Sequence, residues 1–174
     1  TEKDYDLDDI YTRFLKLADK KGQVFDYDLE SLVFFTKQGV NDDDTYRLDR
    51  LNVMSGSGDM TATATVRLQV GKRTRTDSSI GNGEKFEAAA SGNGPVDAVY
   101  NCITRLTGVR CKLTSFEITA NGAGMDALGQ VNITVDYNGR VFHGMGLSTD
   151  VIESAALALL HAINNIERTK RIQE

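Results

Sequence analysis

From Met60 to Val70 the chain alternates without a break. Met60, Ala62, Ala64, Val66, Leu68 and Val70 fall on one face, and Thr61, Thr63, Thr65, Arg67 and Gln69 on the other. A period of two held this long specifies a β-strand with one buried side and one wetted side. Such a strand needs partners, and the flanking segments read as two. Arg47 to Ser55 alternates loosely, with Leu48, Leu51 and Val53 as its apolar members, and Glu84 to Ala90 supplies a third strand. The polar stretch from Gly71 to Gly83 is a long hairpin connection, and Lys72, Arg73 and Arg75 in it read as loop charges rather than a basic patch.

The third strand runs into Ser91-Gly92-Asn93-Gly94-Pro95-Val96-Asp97-Ala98, which holds the only proline of the chain. Glycine supplies backbone angles closed to other residues, and proline suits the first turn of a helix, where its missing N–H is no loss. Apolar residues at helical spacing follow. Free amides at a helix start attract a carboxylate or phosphate. The same spacing also serves a plain strand-to-helix connection that binds nothing.

The order then repeats. Arg110 to Ala120 reads as a strand carrying Leu113, Phe116 and Ile118, and Gly129 to Tyr137 as one carrying Val131, Ile133, Val135 and Tyr137. Asn138-Gly139 marks a type I′ hairpin turn, and Arg140 to Met145 completes the triplet. Gly146 to Asp150 leads into a helix of Val151, Ala155, Leu159, Ala162, Ile163 and Ile166. Thr149 or Asp150 can cap it, and Asp150 with Glu153 resembles a capping box. Two βββα units in tandem give an α+β class, antiparallel sheets covered on one side by helices. Pseudo-twofold packing would bring the two helix starts into comparable positions, as halves of one ligand site or of an oligomer interface.

Ahead of the repeat the pattern is helical. Asp6 to Asp9 can start a helix with Ile10, Phe14, Leu17 and Ala18 on one stripe, and Leu29 to Phe35 reads as a second. Lys37 to Asp44 is polar, and its acidic run Asp42-Asp43-Asp44 lacks the spaced ligands of a calcium loop. A boundary there divides a helical subdomain, residues 1–45, from residues 46–174.

The net charge of −5 argues against nucleic acid or an anionic membrane as partner. No apolar run reaches the length of a membrane span, and Thr1-Glu2-Lys3-Asp4 does not begin like a signal peptide. Cys102 and Cys111 have no metal-like spacing and read as reduced thiols of a cytoplasmic protein. His143 and His161 stand alone. Asp97 suits a general base or an acid favouring the helix dipole. The sequence has no phosphate loop, serine elbow or redox dicysteine, so spacing alone points to binding rather than catalysis, with no catalytic residue assigned.

Several stretches in order resemble a known family. Residues 16–30 (Lys-Leu-Ala-Asp-Lys-Lys-Gly-Gln-Val-Phe-Asp-Tyr-Asp-Leu-Glu), 92–100 (Gly-Asn-Gly-Pro-Val-Asp-Ala-Val-Tyr), 126–131 (Asp-Ala-Leu-Gly-Gln-Val), 144–154 (Gly-Met-Gly-Leu-Ser-Thr-Asp-Val-Ile-Glu-Ser) and Asn164-Asn165 are similar to bacterial 2-isopropylmalate synthases. The resemblance is to their C-terminal part, a linker subdomain plus an allosteric regulatory domain. It implies that the catalytic TIM barrel and its divalent metal would precede Thr1, leaving this fragment without a cofactor. It also implies a homodimer that binds leucine near its interface, for feedback control of the condensation of acetyl-CoA with 2-oxoisovalerate.

Carried onto this chain, the resemblance gives Asn93, Gly94, Val96 and Asp97 from the loop before the first helix. It gives Leu113, Phe116 and Ala120 as pocket wall. Asp126 and Ala127 come from the next turn, and Leu147, Ser148, Thr149 and Asp150 from the second helix start. A free amino acid suits such a set. Unpaired amides take its carboxylate, Asp97 its ammonium, and the apolar residues its side chain, whose burial contributes roughly 1.5–3 kcal/mol. The isoleucine-sensing domain of a citramalate synthase and a purely structural dimerisation module are the alternatives.

Overall fold

The computed structural model describes residues 44–71, 83–121 and 128–173, together with Tyr11 and Leu15. The chain divides into two compact units, Thr1–Asp42 and Asp43–Glu174. In the first, Tyr11 and Leu15 are helical and exposed. The rest of the helical reading of residues 1–45, with its stripe and second helix, lies outside the described residues. So does the Lys72, Arg73 and Arg75 connection.

The second unit contains two βββα repeats. Strands β1 (Tyr46–Met54), β2 (Ala62–Val70) and β3 (Glu84–Gly92) precede helix α1 (Pro95–Thr107). Strands β4 (Lys112–Asn121), β5 (Leu128–Tyr137) and β6 (Arg140–Ser148) precede helix α2 (Val151–Gln173). Each triplet is an antiparallel sheet in chain order. The α+β expectation holds, with the ends displaced: Met60 lies before β2 and is 61% exposed, while Ser91 and Gly92 still belong to β3.

The loose alternation of the first strand of each triplet has a local cause. A register shift falls between Leu48 and Arg50 in β1, and another between Leu113 and Ser115 in β4. Each places one extra residue opposite its partner strand, and side-chain parity restarts after it. Hence Leu48 and Leu51, three apart, still face the same way, as do Leu113 and Phe116. The Asn138-Gly139 turn has φ of 53° and 78°, as a type I′ hairpin requires.

The core forms between these sheets and their helices. Ala62, Ala64, Val66 and Leu68 of β2, with Val131, Ile133 and Val135 of β5, are buried beneath Ala98, Val99, Cys102 and Ile103 of α1 and Ala155, Leu159, Ala162, Ile163 and Ile166 of α2. Helix α1 packs on β3 and β2, α2 on β6 and β5, and the helices touch each other. The Tyr100 hydroxyl donates to the Ala155 carbonyl at 3.2 Å between them, and burial pushes its pKa up. Cys102 is buried, with its Sγ 3.2 Å from the Ala64 carbonyl, and Cys111 is half-buried.

Helix side chains also cover three sheet edges, where unpaired backbone groups invite foreign strands. Asn101 donates to the Ser91 carbonyl at 3.0 Å and Arg105 to the Ala89 carbonyl at 2.9 Å, both on β3. On β6, Asn165 donates to the His143 carbonyl and the Met145 N–H donates to Nδ1 of His161, each at 3.1 Å. His161 therefore has a partner that spacing did not reveal, and so does His143, an exposed strand residue whose Nδ1 lies 3.2 Å from the Thr134 hydroxyl. Asn164 engages β1 at Tyr46. Among the described residues β4 receives no helix side chain of this kind.

Candidate functional site

The two helix starts differ in how their first amides are satisfied. At α1 the cap residue is Gly94, which makes no side-chain cap bond, and Pro95 occupies the first turn. Among the described residues no side chain accepts from the amides of Val96 or Asp97. The Asp97 carboxylate instead turns back, and its Oδ2 accepts the Asn93 N–H at 2.8 Å. That bond fastens the loop to the helix and sets a negative charge beside two unclaimed donors.

The role expected of the glycines changes here. Gly94 has φ −160° and ψ 176°, an extended backbone open to any residue, and neither Gly92 nor Gly94 has a positive φ. A Cβ on Gly94 would meet nothing within 4 Å. Its use is to leave the helix start uncovered, not to adopt a special angle.

The start of α2 is closed by its own side chains. Oδ1 of Asp150 accepts the N–H groups of Ile152 at 2.7 Å and Glu153 at 3.4 Å. The Ser148 hydroxyl accepts the Asp150 N–H at 3.2 Å and donates to Glu153 Oε2 at 2.5 Å. Asp150 is therefore the cap, and Ser148 stands between the two members of the expected capping box. Ser154 Oγ lies 2.7 Å from the Gly129 carbonyl and 3.0 Å from that of Asp150, tying the loop to β5. An outside anion finds open amides at α1 and none of these at α2.

The tandem repeat nonetheless brings both starts to one place. A cavity of about 600 Å³ is lined by Pro95 of α1, by Asp150, Ile152, Glu153 and Leu157 at the start of α2, and by β1 from Leu48 to Val53. Pocket-forming β1 residues were not singled out in the sequence, although the three-residue gap between Leu48 and Leu51 marks the bulge that shapes this wall. Arg50 and three carboxylates, Asp49, Asp150 and Glu153, stand around it. Asp49 is engaged by Lys85 at 2.7 Å and Arg67 at 3.7 Å, and the bond from Lys85 holds its carboxyl below the usual range.

Three further candidates lie on β4. Leu113, Phe116 and Ala120 stand opposite Val135, Ile133 and Gly129 of β5, so they share the face that carries the core. Phe116 is half-buried and packs on that core, and Ala120 is exposed. Leu113 is 41% exposed, and Ile118 on the same face 55%. Helix α2 lies over β5 and β6, and β4 carries its apolar side chains beyond that cover. These residues do not line the cavity at the helix starts. Leu147 and Ser148 end β6, Thr149 and Asp150 join it to α2, and Asp126 and Ala127 lie outside the described residues.

Among the described residues no group of three or more His, Cys, Asp or Glu could hold a metal ion, and no helix is long and apolar enough to cross a membrane. What the geometry offers is acceptance of a small anion-bearing ligand at α1 and apolar contact along β4.

Comparison with known proteins agrees with the repeat. Residues 23–167 match the model of the LeuA allosteric (dimerisation) domain. The chain is 50% identical over 173 residues to the 2-isopropylmalate synthase of Pectobacterium atrosepticum and 53% identical over 173 residues to that of Serratia proteamaculans. It is 52% identical over 172 residues to that of Yersinia enterocolitica. In each case 99% of this chain is covered, but only 30–31% of the relative. A fold of two βββα units and these likenesses agree on one assignment: the chain belongs to the family of LeuA allosteric (dimerisation) domains.

Proposed function

We propose that this chain is the leucine-sensing part of a 2-isopropylmalate synthase. Leucine binds at the start of α1 and inhibits the condensation of acetyl-CoA with 2-oxoisovalerate carried out by a catalytic barrel of the same cytoplasmic protein. The barrel holds the divalent metal, and this fragment alone is inactive. The observation that carries the reading is the asymmetry of the helix starts. α2 is self-capped by Asp150, whereas α1 offers the amides of Val96 and Asp97 next to the Asp97 carboxylate. Those are the two charges of a free amino acid in mirror form.

Val96 and Leu147 supply apolar contact for the isobutyl group, and Leu113 and Phe116, which stand outside the cavity of their own chain, reach it from the second copy of a dimer. Leu113 and Ile118 extend an apolar surface past the cover of α2, which supports a homodimer formed over β4. An isologous contact would double that surface and set two sites about one axis. Allosteric coupling of about 1–3 kcal/mol needs only a modest preference of leucine for one dimer state. The test is Phe116→Ala. Deleting the ring should weaken leucine binding about tenfold or more by calorimetry, while circular dichroism and dimer mass stay as in the parent. Unchanged affinity would remove Phe116 from the pocket.

A further inference from the structure

Three contacts from the second half of α2 converge on Asp44–Tyr46, directly after the boundary between the units at Asp42 and Asp43. Asn164 is 3% exposed. Its Oδ1 accepts the Tyr46 N–H at 3.0 Å and its Nδ2 donates to the Tyr46 carbonyl at 2.9 Å. One turn on, Arg168 meets Asp44 at 3.1 Å, and Arg171 donates to the Thr45 hydroxyl. Positions 164, 168 and 171 share one helix face. The Thr45 carbonyl is itself taken by the Gly71 N–H at 2.9 Å, so the clamped segment is tied to the end of β2 as well.

The other end of α2 is the Ser148–Asp150 loop. From Asp150 to Asn164 the helix covers about 21 Å, with no proline to kink it. Between these ends α2 rests on β6 in backbone contact. A Cβ on Gly144 would lie 2.0 Å from the Ala158 carbonyl oxygen, and one on Gly146 would lie 1.9 Å from that of Ser154. No layer of flexible side chains separates helix from strand at these points to absorb a displacement. Helix α2 and β6 are therefore held together as one body along this stretch.

We infer that α2 transmits effector occupancy from the loop at its start to the chain entry at Asp44–Tyr46, and that Asn164 is the clamp that makes the transmission. The inference rests on the effector reading above, because Asp150 and Glu153 at the start of α2 line the same cavity as Pro95 at the start of α1. Asn164 is a positioning residue: it touches no ligand and acts through the backbone of Tyr46. The two hydrogen bonds fix β1 to α2 in both directions along the strand, a task that neither the part-exposed Arg168 pair nor Arg171 performs alone.

The test uses the full-length synthase, with leucine affinity, leucine inhibition and uninhibited kinetics measured on the same preparations. Asn164→Ala should keep leucine affinity within about threefold and leave uninhibited kcat and KM unchanged. The leucine concentration for half-inhibition should rise at least tenfold, or the maximal inhibition should fall by at least half. Arg168→Gln combined with Arg171→Gln alters only half-exposed side chains and provides the second variant if the first folds poorly; it should shift inhibition in the same direction by a smaller factor. Either variant binding leucine and being inhibited as the parent is would overturn the clamp. A parent enzyme that gives no heat with leucine would overturn the effector reading and the clamp together, so the two failures are distinguishable.

Discussion

Replacing Gly144 by alanine puts one methyl group where α2 meets β6. The added Cβ would stand 2.0 Å from the Ala158 carbonyl oxygen, 2.9 Å from the Ala162 Cβ and 3.0 Å from the Ala158 carbonyl carbon. Two of these three neighbours are helix backbone, so no rotamer change relieves the contact. Ordinary separations of about 3.5 Å require α2 to withdraw by more than 1 Å. A gap of about 0.5–1 Å already forfeits a quarter to a half of each dispersion contact. The withdrawal is felt by Ala155, Leu159, Ala162 and Ile163, all buried. The cost therefore falls at the top of the overpacking range, about 3 kcal/mol. In urea, with a slope of about 2 kcal/mol per molar, the midpoint should drop by about 1.5 M at unchanged slope. Gly94→Ala is the control, because its Cβ would meet open space on an extended backbone; its midpoint should move by less than about 0.3 M. Equal midpoints for Gly144→Ala and the parent would refute backbone contact between α2 and β6.

Three further outcomes are expected. Burial, with the charge of Arg168 adding to it, lowers the His161 pKa to about 4. The unfolded chain, at about 6.5, then takes up its proton first as pH falls, so stability present above pH 6.5 is lost between 6.5 and about 4. The parent should lose about 2 kcal/mol more than His161→Gln between pH 7 and 5, and identical slopes would return His161 to an ordinary environment. Ile118→Asp places a charge on the uncovered face of β4 and should raise the dimer dissociation constant at least a hundredfold in sedimentation equilibrium; an unaltered dimer would move the interface off β4. Asp97→Asn keeps an oxygen to accept the Asn93 N–H but removes the charge facing the ammonium. Leucine inhibition of the full-length enzyme should then weaken about tenfold to a hundredfold with uninhibited turnover retained, and lost turnover with normal inhibition would give Asp97 a catalytic role instead.

The strands were legible because burial on one side imposes parity, and parity survives in the letters. Even the two bulges left a mark, the three-residue step from Leu48 to Leu51 and from Leu113 to Phe116. What parity does not encode is which strand a helix covers. Leu51 and Phe116 look alike in the sequence, yet β1 lies against α2 and β4 carries Leu113 and Ile118 into the open. Hydrogen bonds between distant segments were likewise hidden. Asn164-Asn165 carries part of the family resemblance, but its physical sense, one amide on β1 and the next on β6, needs 118- and 22-residue separations to close. His161 gained its partner in the same way. At the helix starts the letters suggested two similar loops. The difference between them is that Asp150 can cap its own helix whereas Gly94 cannot, which was readable once side-chain acceptors were counted.

The central claim is that the open start of α1 receives leucine, and calorimetry on this chain tests it most directly. Titration with leucine should release heat at one molecule per chain, and Asp97→Asn should abolish or strongly weaken it, with isoleucine binding more weakly than leucine. No heat from leucine with the folded dimer, or tighter binding of isoleucine, would contradict the assignment.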